Sequence, residues 1–161
     1  MNAKPKNLIM ENITTNMWYR NFAGVATKKN AEGSRNFNIE IPADLAQQLN
    51  EEGWNVRYRE DKDIWLLKVH VSYQFKKPII NLVTSNNGRV TPLTERTIAN
   101  LDYSEIECYD VNIEPSNKTY LNGEGRETHS AYLKSMNVYI ADDPIANKFN
   151  TVVYQDDFDE E

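Results

Sequence analysis

The chain has 161 residues, 40% of them hydrophobic, which suits one compact domain with a single core and excludes a long multidomain enzyme. Its 18 basic and 24 acidic residues give a net charge of −6, which taken alone argues against a nucleic-acid partner. Cys108 is the sole cysteine, so an internal disulfide and a cysteine zinc site are excluded.

The distribution of charge changes the argument. Residues 1–35 hold six bases (Lys4, Lys6, Arg20, Lys28, Lys29, Arg35) against Glu11 and Glu32. Five acids, Asp156, Asp157, Asp159, Glu160 and Glu161, fall in the last six residues, so residues 1–155 carry 18 bases against 19 acids. The front is basic, the middle balanced and the tail acidic. No run approaches the roughly 18 to 20 apolar residues of a membrane helix, and Lys4, Pro5 and Lys6 before Leu8-Ile9-Met10 make no signal-peptide core. A cytoplasmic protein without membrane association is therefore expected, and the Asn-x-Thr sequences at Asn12 and Asn117 are expected to stay unglycosylated.

Taken in chain order, strand patterns dominate: 17–23, 35–41, 55–59, 64–75, 79–84, 90–93, 106–114 and 131–140. In 35–41, Phe37, Ile39 and Ile41 share one face. In 64–75, Trp65, Leu67, Val69, Val71, Tyr73 and Phe75 point one way, and Lys68, His70, Ser72 and Gln74 the other. Asn87-Gly88 and Asn122-Gly123-Glu124-Gly125 read as hairpin tips. Three short helices interrupt the strands. Pro42, the stripe Leu45, Ala46 and Leu49, and Gly53 as a left-handed stop predict a helix over 43–52; weaker signals predict others over 94–101 and, behind Asp143-Pro144, over 144–149. The expectation is a mainly β domain over 1–154, a small antiparallel barrel or sandwich with two or three short helices, followed by a disordered acidic tail, 155–161.

Enzyme motifs are missing. There is no Gly-x-Ser-x-Gly and no Walker loop, and Gly123-Glu124-Gly125 lacks the third glycine and the strand-to-helix setting of a dinucleotide site. His70 and His129 read as surface histidines; His129 adjoins Ser130, but neighbours on a strand face opposite ways. Asp142-Asp143 suits capping, Asp156-Asp157 a solvated tail, and Cys108 a buried, inert thiol. No catalytic residue, cofactor or metal is expected.

Nucleic-acid binding fares better because cations and aromatics interleave. A groove for a single strand needs cations along the phosphates and flat rings on which unpaired bases stack. Trp18 and Arg20, then Lys28 and Lys29, then Arg35 form two strands joined by a basic turn. Arg57 and Arg59 alternate with Val56 and Tyr58, so both project from one face, where they extend the track or pair with Glu60 or Asp61. Lys118, Tyr120 and Arg126 occupy or flank a hairpin tip, and Tyr120, in a polar loop with little core to join, is expected to be exposed. Phe22, Phe37 and Trp54 read as core, and so, as the alternative to stacking, does Trp18.

Trp18-Tyr19-Arg20-Asn21-Phe22-Ala23-Gly24, Asn30 with Gly33, Arg35-Asn36-Phe37, Glu52-Gly53-Trp54-Asn55-Val56, Leu101-Asp102, Val111-Asn112-Ile113-Glu114-Pro115 and Ala131-Tyr132-Leu133-Lys134-Ser135 together resemble a family of tailed-bacteriophage single-stranded DNA-binding proteins, over most of 16–150. The resemblance implies an oligonucleotide/oligosaccharide-binding (OB) barrel that coats single-stranded DNA in phage replication or recombination and is not an enzyme. It also implies a tail, Asp156, Asp157, Phe158, Asp159, Glu160 and Glu161, that engages replication or recombination proteins, although three acids follow Phe158 where such tails often end on an aromatic. The rival readings are a phage structural or host-interaction β protein and, behind it, a nuclease accessory or hydrolase. Oligomeric state, site size and DNA versus RNA preference are left open.

Overall fold

The structure, a computed structural model, describes residues 4–141 apart from Phe75 and Asn86. The helix expected over 144–149 and the acidic tail therefore lie outside the described residues. Within them the chain is mainly β, in the order β1 Leu8–Ile13, β2 Met17–Asn21, β3 Arg35–Ile41, helix α1 Ala43–Glu51, β4 Val56–Arg59, β5 Ile64–Val71, β6 Ile79–Thr84, β7 Val90–Leu93, a 3-10 helix Ile98–Asp102, β8 Ile106–Leu121 and β9 Glu127–Ile140. No helix among the described residues is long and apolar enough to cross a membrane.

All nine strands join one sheet along the path β1-β8-β9-β5-β3-β2, with β4 added on β5, β6 on β9 and β7 on β6. Hydrogen bonds do not close this path, but its two ends, β1 and β2, are consecutive in the chain. The sheet is mixed where an antiparallel one was expected, because β9 pairs in parallel with both β5 and β6. β9 is the hub: one edge bonds β8, while the other meets Trp54 at His129, β5 at Ala131 and Tyr132, and β6 from Ser135 onward.

The alternation read from sequence fixes which faces are buried. Phe37, Ile39 and Ile41 of β3 and Leu67, Val69 and Val71 of β5 enter a core shared with Tyr109, Val111 and Ile113 of β8 and Leu133, Met136 and Val138 of β9. Phe22 stacks on Phe37 with ring centroids 5.1 Å apart. α1 presses Ala46 and Leu49 onto this core and ends at Gly53, whose φ of +106° a side chain would strain. The Trp54 and Leu49 backbones are joined across that end, and Trp54 is buried.

Several elements differ from the sequence expectation: the strand expected over 17–23 ends at Asn21, and the helix expected over 94–101 is the 3-10 helix Ile98–Asp102. Strand β1 is absent from the sequence expectation; pairing with β8 makes it a strand, and its bulge puts Asn12 at φ +56°, with the Asn12 amide donating to Asp110. β5 stops at Val71 instead of residue 75, since Val71 is the last residue that β3 reaches. β8 and β9 run further than expected and form a long arm. At its base Pro115 cannot donate to the ladder, the register slips, and Ser116 substitutes: its Oγ accepts the Ser130 amide and its carbonyl accepts from His129 Nδ1. His129 is thus a buried structural residue rather than a surface one. Cys108, expected to be buried, is half-buried on β8; burial, then Asp110 and Glu107, raises its thiol pKa and keeps it protonated at neutral pH.

Candidate nucleic-acid interface

One face of β3, β4 and β5 floors a groove of about 1000 Å3, walled by the 22–34 loop, the end of the 3-10 helix and the β8–β9 arm. Alternation places Asn36 and Asn38 of β3, Arg57 and Arg59 of β4, and Leu66, Lys68 and His70 of β5 on this floor. Among the described residues its charged lining is Arg20, Lys29, Arg57, Arg59 and Lys68 against one carboxylate, Asp102. A chain of net charge −6 therefore carries a locally cationic groove. Burial, with Lys68 second, lowers the pKa of His70 and holds it neutral, and its ring lies 5.3 Å from that of Tyr132.

Aromatic faces punctuate the cations. Tyr19, Tyr103 and Tyr120 line the groove, 46%, 86% and 50% exposed, with Leu121 beside Tyr120. Tyr19 has φ +51°, uncommon for a bulky residue, at the point where the β2–β3 register shifts. This break in alternation leaves the Trp18 and Tyr19 rings 5.9 Å apart although the residues are consecutive. Each ring carries a cation from the β4–β5 turn: Lys62 Nζ lies 5.2 Å from the Trp18 centroid and Arg59 Cζ 5.3 Å from that of Tyr19. The Trp18 indole N–H donates to Glu40 at 2.7 Å.

The 22–34 loop is tied down by short polar side chains. Asn21 exchanges two hydrogen bonds with the Val25 backbone, and Asn30 donates to Val25, Ala31 and Ser34 carbonyls while accepting from Asn36. Gly24, at φ +70°, sits against Gly33, whose amide donates to the Gly24 carbonyl; a Cβ there would lie 3.1 Å from the Gly33 backbone. Thr27 and Asn30 pair across a tight turn whose central residues are Lys28 and Lys29. Of the words that carry the family resemblance, Asn21 with Gly24, Asn30 with Gly33, and Asn36 hold this loop together.

The structure brings together five of the ten residues selected from sequence: Arg20, Lys29, Arg57, Arg59 and Tyr120 line the groove. Arg20 also anchors it, donating from Nη1 to the Leu101 and Ser104 carbonyls, and Asp102 answers by accepting the Phe22 and Ala23 amides. Lys28 is exposed and does not line the groove, and Trp18 lies next to the Tyr19 ring that does. Arg35 sits on the opposite face of β3, in an ion pair with Glu95 and against the Tyr73 ring. Lys118 is exposed on the arm, and Arg126 donates to the Asn50 carbonyl, bracing the arm on α1. The six tail residues lie outside the described residues. Sequence reasoning missed Tyr19, Tyr103, Lys68 and the asparagines. Lys68 was legible from the alternation of β5, whereas Tyr19 depends on a bulge.

No curated protein sequence matches the chain. Three solved structures of the single-stranded DNA-binding protein from bacteriophage Enc34 share its fold. The C-terminal truncation is 12% identical with a TM-score of 0.52, covering 86% of this chain and 87% of that one. The complex with single-stranded DNA is also 12% identical at TM-score 0.52, covering 86% and 88%. A third structure is 13% identical at TM-score 0.51, covering 86% and 83%. At these identities the likeness is one of fold. The model of the phage ssDNA-binding domain family matches residues 1–159, and the chain belongs to that family.

Proposed function

We propose that this protein binds single-stranded DNA without sequence preference and coats exposed strands during phage DNA replication or recombination, as a binder and not an enzyme. The observation that carries the reading is the groove in which Arg20, Lys29, Arg57, Arg59 and Lys68 alternate with the exposed rings of Tyr19, Tyr103 and Tyr120. Cations release condensed counterions from the phosphates, and rings accept any base, each stacked base contributing about 1 to 3 kcal/mol. Family membership and the Enc34 fold, one of whose structures holds single-stranded DNA, support the same ligand. The proposal includes a partly open OB-type barrel, supported by the path whose two ends are consecutive strands.

The proposal extends to the tail. Five carboxylates among Asp156–Glu161 on a tether mimic phosphates, fold back onto the cationic groove and yield to DNA, which frees them and Phe158 for a replication or recombination protein in the host cytoplasm. Fluorescence anisotropy with labelled single- and double-stranded oligonucleotides of equal length, at two salt concentrations, tests the core of the reading. Preference for the single strand that weakens with salt is expected; equal affinity for duplex, or no binding at low salt, overturns it.

A further inference from the structure

The β4–β5 turn covers two adjacent rings with two of its own cations, and this arrangement extends the groove. Arg59, at the end of β4, and Lys62, in the turn that follows it, lie over Tyr19 and Trp18 respectively. Everything else at this end is fixed. The indole plane of Trp18 is held by its bond to Glu40, and Tyr19 is set by its positive φ. The turn backbone is closed by bonds from the Lys62 amide to the Arg59 carbonyl and from the Asp63 amide to the Glu60 carbonyl. Arg59 is steadied by a two-pronged contact with Asp61, Nε and Nη2 each 3.2 Å from a carboxylate oxygen, which holds that carboxyl below the usual range. Uncovering either ring requires only rotation of the Lys62 or Arg59 side chain, for Arg59 with release of its contact to Asp61, and no change of backbone.

We infer that Trp18 and Tyr19 form a nucleobase-stacking subsite whose faces are occupied by Lys62 and Arg59 in the free protein and exchanged for a base when the strand binds. This inference rests on the single-strand reading of the groove. The chemistry selects the base rather than the phosphate. Residues 59–63 hold Arg59 and Lys62 against Glu60, Asp61 and Asp63, a net charge of −1, and Glu40 adds a further carboxylate beside Trp18. A phosphate gains little there, whereas an uncharged base replaces a cation on a ring face and adds its stacking contact. The subsite therefore contributes affinity with almost no counterion release, unlike the groove floor.

Titration of the full-length protein with an unlabelled oligothymidylate, followed by tryptophan emission and in parallel by competition anisotropy, separates the possibilities. Wild type is expected to bind with quenched emission. Trp18→Phe, which keeps a stacking ring, is expected to bind within about twofold of wild type while losing most of the quenching. Trp18→Leu, which keeps apolar bulk without a flat face, is expected to bind about 5- to 150-fold more weakly with an unchanged salt slope. In the free protein, Lys62→Gln is expected to make the emission more sensitive to acrylamide. Quenching unchanged in Trp18→Phe, wild-type affinity in Trp18→Leu while its melting curve stays cooperative, or unchanged acrylamide sensitivity in Lys62→Gln overturns the covered subsite and leaves single-strand binding standing. Absence of binding by wild type overturns the single-strand reading itself.

Discussion

Asp102 holds the start of the 22–34 loop through Phe22: its Oδ1 accepts the Phe22 backbone amide at 2.7 Å while Oδ2 accepts that of Ala23 at 3.1 Å. Because Phe22 stacks within the core on Phe37, this carboxylate joins the groove wall to the packed interior. Asp102→Ala leaves two amides without their partner and is expected to cost about 1 to 3 kcal/mol of stability. Denaturant midpoints with an unchanged slope check this, and wild-type stability in the variant refutes it.

Lys28 and Lys29 share one tight turn, yet Lys29 lines the groove and Lys28 does not. Lys29→Ala is therefore expected to flatten the dependence of log affinity on log salt by about 0.7, the release expected for one lost phosphate contact on a single strand, and Lys28→Ala by distinctly less. Equal effects overturn the distinction between the two lysines, and no effect from either removes the loop from the track.

The exposed tyrosines give a test that separates binding from folding. Tyr103→Ala and Tyr120→Ala are each expected to weaken single-strand binding by about 1 to 3 kcal/mol with little change in melting temperature, since neither ring is packed in the core. A large fall in melting temperature assigns a ring to the fold, and unchanged affinity removes it from the interface.

His70 supplies a pH dependence with a definite sign. Its folded pKa is lowered from 6.5 by burial and then by Lys68. The unfolded chain takes up this proton first as pH falls, so stability is complete above about 6.5 and declines as pH drops through the lowered folded value. His70→Gln is expected to shrink the difference in unfolding midpoint between pH 7.5 and the acid side of this window; an unaltered difference counts against the assignment.

Deleting 156–161 raises the formal charge from −6 to −1. If the tail competes for the groove, the truncated protein binds a single strand more tightly, with an advantage that shrinks as salt rises. Equal or weaker binding leaves the tail as a solubility device, and recruitment is checked by pull-down of replication proteins with full-length but not truncated protein.

Local pattern carried most of the architecture. The bounds of β3, β6 and β7 follow from alternation and turn chemistry, and Gly53 marks the end of α1, because in each case the deciding forces act between near neighbours. What escaped depends on partners distant in sequence. β1 exists because β8 pairs with it, the parallel edges of β9 depend on chain return, and His129 is buried because Trp54 and Ser116 close over it. The site divides the same way. Arg57 and Arg59 share a face by simple alternation, whereas Tyr19 reaches the groove through a bulge, and the far-face position of Arg35 follows from its sharing a side with Phe37.

The position of β9 as hub has a consequence for how the protein comes into being. Residues 127–140 supply the bonds that unite β8, β5 and β6, so the earlier strands cannot close their shared sheet until these residues have been synthesised. Such distant pairings impose a high contact order, and folding on a timescale of about milliseconds to seconds follows from the chain entropy that must be lost first. The nascent chain thus carries the basic residues of its first 35 positions well before the groove around them exists, and the groove is complete only once residues 127–140 have joined the sheet.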